Sequence, residues 1–359
     1  MTKPLLKVED LHVEFATYGG TVHAVRGVSF DVNAGETLAI VGESGCGKSV
    51  TVQSLMGLIP MPPGQITQGS AELMGHDILS SKFIEGQDIR GNKVSMIFQD
   101  PMTSLNPTMN IGSQIAETLE VHRGYSRRKA FNRAIELLEM TKIPEAEKRA
   151  KQYPFEFSGG MLQRAMIAMA IACEPAMLIA DEPTTALDVT IQAQILDLLK
   201  DLQQETDMAI ILITHDLGVV ARMADEVLVM YAGQVVEKGP VDDIFYHSAH
   251  PYTLGLRGAM PTNSPNNQQS LTAIDGSPPD LFSPPAGCSY HPRCPNAMQL
   301  CDQRAPAIAS LSADHWSRCW LHHPDSQLRP QGLYFRDSAA NKETSTGTEK
   351  SADQEGSAQ

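Results

Sequence analysis

Apolar residues occur along this chain in short unbroken runs separated by segments of helical spacing. Thr37-Leu38-Ala39-Ile40-Val41, Val94-Ser95-Met96-Ile97-Phe98, Met177-Leu178-Ile179-Ala180 and Ala209-Ile210-Ile211-Leu212-Ile213 are too short for helices and show no alternation. That pattern predicts strands covered on both faces, as in a parallel sheet. Nearer the N-terminus the period changes to two. Leu11, Val13 and Phe15 alternate with His12 and Glu14, and Val28, Phe30 and Val32 with Ser29, Asp31 and Asn33. With a turn at Gly19-Gly20, these runs predict an antiparallel β element beside the main sheet. A helix is expected from Lys48 to Leu58, with Val50, Leu55 and Leu58 apolar. From about 110 to 157 the pattern is helical, with Ala130, Ala134, Leu137 and Leu138 on one face of a helix that Ser126 caps. Leu162, Met166, Met169 and Cys173 form one further stripe, and Ile191, Ile195, Leu198, Leu199 and Leu202 another. Val227–Met230 and Gln234–Glu237 predict a hairpin turning near Ala232-Gly233.

Chemistry enters where these runs end. After the first continuous run stands Gly42-Glu43-Ser44-Gly45-Cys46-Gly47-Lys48-Ser49, of the form G-x-x-x-x-G-K-[ST]. A strand before it and a helix after it are the context in which this motif cradles phosphates. The glycines let backbone N–H groups and the helix N-terminus converge on an anion. Lys48 is expected at the β- and γ-phosphates, and the Ser49 hydroxyl at Mg²⁺. The third run delivers Asp181 and Glu182, which suits Asp181 to the metal through water and Glu182 to polarising the attacking water. The fourth run ends at His215, one helical crossover later at the same sheet edge, where it is expected to contact the γ-phosphate. Asp188 is a candidate helix cap. Phe15, with Tyr18 second, is a candidate platform for adenine or a core aromatic. Cys46, beside Lys48 at a helix N-terminus, is expected to have a lowered pKa and to alkylate fast. The fold class expected is α/β: a P-loop, RecA-like core with a flanking antiparallel β subdomain and a helical insert at about 102–160.

Composition narrows the partners. Of 359 residues, 42% are hydrophobic and 19% charged, as in an ordinary globular protein, and a net charge of −14 gives no basic footprint for nucleic acid. No apolar run reaches the roughly 18–20 residues that would cross a bilayer, and the N-terminus is too polar for a secretory signal. Membrane contact is therefore expected through a partner, and location in the cytosol, where thiols stay reduced.

After Gly255 the composition shifts. Pro261, Pro265, Pro278, Pro279, Pro284 and Pro285 predict a linker. Cys288, Cys294, Cys301 and Cys319 then fall within 32 residues, whereas the preceding 287 hold two cysteines. Their intervening spacings of five, six and seventeen lack the Cys-x₂-Cys of common zinc sites. An iron–sulfur cluster, zinc with His291 or His315 as replacement ligands, and merely buried thiols remain open. The divisions expected are 1–255 for the ATP-binding domain, 256–330 for the linker and four-cysteine region, and 331–359 for a disordered tail poor in apolar residues.

Taken in order, the phosphate loop, Gln99, Ser158-Gly159-Gly160, Met177 to Glu182, Asp188 and His215 resemble the ATP-binding subunits of ABC transporters over roughly residues 5–255. The resemblance implies ATP and Mg²⁺ as cofactors. It implies that Ser158, Gly159, Gly160 and Asp188 meet nucleotide held by a facing subunit, and that Gln99 senses the metal and couples to the membrane partner. The signature reads Phe157-Ser158-Gly159-Gly160-Met161 where Leu-Ser-Gly-Gly-Gln is commoner, with the phosphate-facing residues intact. Phe98 to Pro107, Ala180 to Ala193 and His250-Pro251-Tyr252-Thr253 are similar to the oligopeptide/dipeptide permease family. Pro144 to Arg149, Tyr153-Pro154 and Cys288 to Pro295 lean toward the D-type subunit of its oligopeptide branch.

That family implies a peripheral subunit on the cytoplasmic face of the inner membrane. Its partners would be a paralogous ATP-binding subunit, two transmembrane permease subunits and, indirectly, an extracytoplasmic peptide-binding protein. It also implies a [4Fe–4S] cluster on Cys288, Cys294, Cys301 and Cys319. Nickel and glutathione importers share much of the pattern. Two other readings compete: a non-transport ABC ATPase in DNA repair or translation, and a metal- or redox-sensing regulator. The first would need a long coiled-coil insertion or tandem cores, and the sequence has neither.

Overall fold

The computed structural model describes residues 3–79, 89–185, 187–260 and 274–336. The linker residues Pro261 and Pro265, and the expected tail beyond 336, lie outside them. The chain opens with the long strands β1 (Leu6–Thr17) and β2 (Gly20–Val32), then β3 (Thr37–Val41), helix α1 (Lys48–Leu55), and strands β4 (Gly64–Leu73) and β5 (His76–Asp77). β6 (Val94–Ile97) leads into helices α2 (Ile111–Arg123), α3 (Arg127–Met140) and α4 (Gly159–Ile171). The remainder alternates: β7 (Met177–Asp181), α5 (Val189–Thr206), β8 (Ala209–Thr214), α6 (Leu217–Met223), β9 (Glu226–Tyr231) and β10 (Gln234–Pro240). Helix α7 (Pro251–Gly258) and two short strands, β11 (Ala309–Ser310) and β12 (Trp316–Ser317), complete the labelled elements.

Two sheets result. The antiparallel sheet runs β2-β1-β4-β5, and the larger runs β11-β12-β10-β9-β3-β8-β7-β6. Within the larger sheet β6, β7, β8, β3 and β9 are parallel. Every residue of β3, β7 and β8 is buried, as their unbroken apolar runs predict. Parallel neighbours end at the same edge, so β3, β7 and β8 deliver the loop at 42–49, the pair Asp181-Glu182 and His215 to one place. The N-terminal alternation holds as well: Val8, Leu11, Val13, Val28, Phe30 and Val32 lie in one core cluster with Leu38 and Ile40.

The helical insert shares one core cluster with the large sheet, through Ile97, Leu178, Ala180, Ile210 and Leu212. Ala130, Ala134, Leu137 and Leu138 are the buried residues of α3, the face read from the sequence. Ser126 occupies its N-cap position but makes no side-chain bond there, whereas Asn110 caps α2 by accepting from Ser113 N–H at 2.8 Å. Helix α1 ends at Leu55 rather than Leu58, and Leu58 is exposed. Gly57, at φ 60°, turns the chain away just beyond the helix.

The cysteine-bearing segment is not a separate bead. β12 pairs with β10, Glu237 opposite Ser317 and Lys238 opposite Trp316, and so widens the nucleotide sheet. Glu237, with no exposed surface, accepts from Ala249 N–H at 2.7 Å and His250 N–H at 3.0 Å, and lies 2.9 Å from His315 Nε2. Tyr290 meets Tyr231 edge-on at 5.2 Å between centroids, and Cys288 and Cys294 pack against the same apolar cluster. The boundary expected at 331 falls early. Leu333 is buried, Tyr334 N–H donates to Ser248 O at 2.9 Å, and the Phe335 ring meets His322, so packing continues through Phe335.

Removing the Glu237 carboxylate strands two buried backbone donors and a buried imidazole. Glu237→Ala is expected to cost about 3 kcal/mol. A thermal melt unchanged from the parent would show that this network does not hold the C-terminal segment.

Candidate functional site

The loop leaving β3 takes its shape from glycine. Gly42 and Gly47 have φ of 151° and 101°, and a Cβ would lie 2.2 Å from Met230 O at the first and 2.4 Å from Ala24 O at the second. Backbone this close to its neighbours accepts no side chain. The loop runs into α1, whose first residue, Lys48, is buried. Its Nζ donates to Gly42 O at 2.8 Å and Glu43 O at 3.0 Å, folding the ammonium back over the loop. Ser49 Oγ donates to Asp181 Oδ1 at 3.0 Å, which joins the loop to the end of β7.

Around Glu182 the other candidates assemble. Glu182 holds φ 48°, an uncommon conformation for a residue with a side chain, and its N–H donates to Ile213 O at 2.9 Å on β8. Gln99 Nε2 donates to its Oε2 at 2.8 Å and Thr185 Oγ1 at 3.0 Å, while His215 Nδ1 lies 3.0 Å from Oε1. Gln99, Asp181, Glu182 and His215 are thus brought together with Ser49 and Lys48. Burial pushes the Asp181 carboxyl above the usual carboxylate range, against the Ser49 hydrogen bond. For Glu182 burial acts in the same sense but is outweighed by the bonds from His215 and Thr185 and the charge of Lys48, which hold it below that range. Two adjacent acids are thereby pushed apart in acidity, and the more acidic one is the one facing His215.

Other candidates stand elsewhere. Ser158 caps α4, accepting from Met161 N–H at 3.4 Å, and the neighbours of Gly159 and Gly160 are Leu187 and Ile191 rather than the loop at 42–49. Asp188 caps α5, accepting from Ile191 N–H at 2.9 Å. The signature, through Leu187 and Ile191, and Asp188 therefore meet at the start of α5. Phe15 is half-buried and packs against the cluster of Ile59, whereas Tyr18 at the hairpin tip is fully exposed. Packing covers part of the Phe15 ring, whereas none of the Tyr18 ring is covered.

The reactivity expected of Cys46 is corrected. Its side chain is 6% exposed. Burial pushes the thiol up, and the Lys48 charge only partly opposes it. Proximity to a cation lowers a thiol pKa where water also reaches the sulfur; here desolvation wins.

In the C-terminal segment Cys288, Cys294, Cys301 and Cys319 are all free thiols, and Cys319 lies near enough to feel the charge of the other three. Burial raises Cys288, and pushes Cys294 up to about 11. Among the described residues no three His, Cys, Asp or Glu side chains converge closely enough to hold a single metal ion. The histidines considered as replacement ligands are engaged: His315 is buried against Glu237, and His291 lies 3.2 Å from Asp302 and 2.9 Å from Cys288 O. Thr185 at Glu182, and Arg293 at Glu43 of the phosphate loop, are site contacts the sequence reading missed. Thr185 follows Glu182 by one turn and could have been found by that spacing; Arg293, 250 positions from its partner, carries no local signal.

Among the described residues no helix is long and apolar enough to cross a membrane. A family model described as ABC transporter matches residues 25–185, and one described as oligopeptide/dipeptide transporter, C-terminal region, matches residues 236–301. The oligopeptide transport ATP-binding protein OppD of Bacillus subtilis (strain 168) is 56% identical over 322 residues, 90% of each chain. The dipeptide transport ATP-binding protein DppD of the same strain is 56% identical over 317 residues, 88% of this chain and 94% of that one. A solved dimeric ATP-binding cassette, MJ0796, in a post-hydrolysis state bound to ADP and Pi, aligns with a TM-score of 0.59 and 26% identity, covering 66% of this chain and 98% of that one. The chain is a member of the ABC transporter ATP-binding family, within its oligopeptide/dipeptide branch.

Proposed function

We propose that this chain hydrolyses ATP to power import of oligopeptides or dipeptides as the ATP-binding subunit of a multi-subunit ABC importer. The observation that carries the reading is the single cluster of Ser49, Gln99, Asp181, Glu182 and His215 around the phosphate loop, in a chain closely related to peptide-transport ATP-binding proteins. Partners of the expected kind follow: two permease subunits, and a second ATP-binding subunit, paralogous to this one, whose loop faces the patch of Ser158, Gly159, Gly160 and Asp188. Within this chain the neighbours of Gly159 and Gly160 are Leu187 and Ile191 rather than the loop, which supports a contact made across a dimer. The subunit would sit peripherally on the cytoplasmic face of the membrane.

Each residue does what its surroundings permit. N–H groups of residues 45–49 and the start of α1 meet the phosphates, and Lys48 exchanges two loop carbonyls for phosphate oxygens. Glu182, charged and aimed by Gln99, Thr185 and His215, orients and polarises the attacking water. His215 on the other side of that carboxylate is placed for the γ-phosphate. Tyr18 is the aromatic available for adenine. Ser49, Asp181 and Gln99 offer hydroxyl, carboxylate and amide oxygen, a donor set suited to Mg²⁺, and the carboxylate at Asp181, raised by burial, is one that a cation would stabilise. Held by these residues, Mg²⁺ would supply charge neutralisation at the phosphates.

Cys288, Cys294, Cys301 and Cys319 are the thiols that would hold a [4Fe–4S] cluster, a reading that rests on four cysteines in one segment of a chain of this family. Bound there, it would supply cross-links, since ATP hydrolysis has no redox step.

Vesicles carrying the assembled transporter and its binding protein are expected to accumulate peptide with ATP. Uptake of nickel or glutathione instead would overturn the peptide assignment. Glu182→Gln keeps shape and removes charge, so ATP binding should persist while turnover falls about 10²–10⁴-fold; near-normal hydrolysis would remove Glu182 from this role. Lys48→Ala should lose nucleotide affinity itself, whereas His215→Ala should bind ATP and turn it over slowly. Protein purified without oxygen should contain iron and sulfide in equal amounts, about four of each per chain. Stoichiometric zinc would overturn the cluster. Alkylation of Cys46 at neutral pH should be slower than that of a free thiol, rising with pH through a range above the usual thiol pKa, and bound MgATP should slow it further. A rate matching free cysteine would show the sulfur to be accessible and ionised.

A further inference from the structure

Glu43, the second residue of the phosphate loop, is gripped by the C-terminal half of the chain at both its backbone and its side chain. Its N–H donates to Tyr252 Oη at 2.9 Å, and its carbonyl accepts from Lys48 Nζ at 3.0 Å. Its carboxylate receives both arms of one guanidinium: Arg293 Nη1 donates to Oε2 at 2.6 Å and Nη2 to Oε1 at 2.9 Å. Arg293 is itself held, donating to Tyr231 Oη at 3.3 Å, to Ile274 O at 3.3 Å and, through Nε, to Asp275 O at 2.9 Å. Its side chain is 4% exposed and the Glu43 side chain 27%. A parallel, two-bonded pair fixes direction as well as distance, which a lysine cannot do.

The placement poses an electrostatic question that the pair answers. A loop whose task is to receive triphosphate carries a carboxylate two residues before Gly45, where like charge opposes the incoming anion. Neutralised by Arg293, Glu43 becomes a rigid anchor for the loop instead of a repulsive charge. We propose that Arg293 is a positioning residue for ATP: through its bidentate pair with Glu43 it holds the phosphate loop in its receiving shape and cancels the charge that would repel the phosphates. It touches neither ATP nor the attacked bond, so it acts on ground-state affinity. The segment between Cys288 and Cys294 is thereby built into the ATP site of its own chain. This inference rests on the phosphates binding at residues 42–49.

The test is a double-mutant cycle on the full chain, read by titration with a fluorescent ATP analogue in the presence of Mg²⁺ and by steady-state hydrolysis in the assembled transporter. Arg293→Met should raise the analogue Kd and the KM for ATP about 10- to 100-fold, with kcat at saturating ATP within about twofold of the parent, the signature of lost ground-state binding. Arg293→Lys, which keeps charge and loses the fork, should fall between. Glu43→Gln removes the charge that Arg293 neutralises, so Glu43→Gln/Arg293→Met should recover most of the affinity lost in Arg293→Met. If Arg293 only staples the C-terminal segment, its variants will melt lower or lose iron while KM stays put, and Glu43→Gln will rescue nothing; either finding overturns the proposal. Should Arg293→Met not fold, Arg293→Lys with and without Glu43→Gln reads the same coupling. Lys48→Ala separates the two levels. If it binds the analogue as the parent does, phosphate binding at 42–49 is wrong. If it fails while both Arg293 variants bind normally, only the role given to Arg293 falls.

Discussion

The hydrogen bond from Ser49 to Asp181, 3.0 Å long, joins positions 132 residues apart, and the site depends on what makes that meeting possible. Ser49 follows β3 and Asp181 ends β7; these strands are not adjacent but are separated by β8, which pairs with both. Five parallel strands, four of them buried throughout, fix where each chain segment emerges. The acids can then be placed beside the loop to within hydrogen-bond tolerance. A one-residue slip of β7 would turn each of its side chains, Asp181 included, to the opposite face of the sheet.

From that edge the electrostatics follow. Asp181 and Glu182 are neighbours in sequence, yet burial raises one while hydrogen bonds hold the other down. The left-handed backbone at Glu182 makes the difference, since it turns the second carboxylate toward Gln99, Thr185 and His215. Strain of that kind costs on the order of 1–3 kcal/mol and persists only where the surroundings over-determine it. Here β8 supplies the restraint through Ile213 O.

The C-terminal segment extends the same logic outward. It has too few large apolar residues to form its own core, and borrows one: Tyr290 packs on Tyr231 and Tyr252, and β12 lies along β10. Buried Glu237 is the hub, taking two backbone donors from the stretch before α7 and facing His315. Cysteines read as a separate appendage are, in the folded protein, continuous with the wall behind the phosphate loop.

Much of this was legible in order along the chain. Unbroken apolar runs announced the parallel strands because a strand covered on both faces needs no polar side. The loop at 42–49 and the Asp-Glu at the end of β7 announced phosphate chemistry because that chemistry needs particular residues at short spacing. Three things stayed hidden. Cys46 was misjudged because a thiol's acidity depends on whether water reaches it, and sequence records neighbours along the chain, not solvent. Phe15 ranked ahead of Tyr18 as the adenine platform because period-two alternation does not say which aromatic a second element, here Ile59 and its cluster, will cover. Arg293 and β12 were invisible because a two-residue strand has no period, and a guanidinium 250 positions from its carboxylate leaves no local mark. Local periodicity and short motifs determined the elements and the chemistry; burial and long-range pairing, which exist only once the chain has closed on itself, decided acidity, exposure and the support beneath the loop.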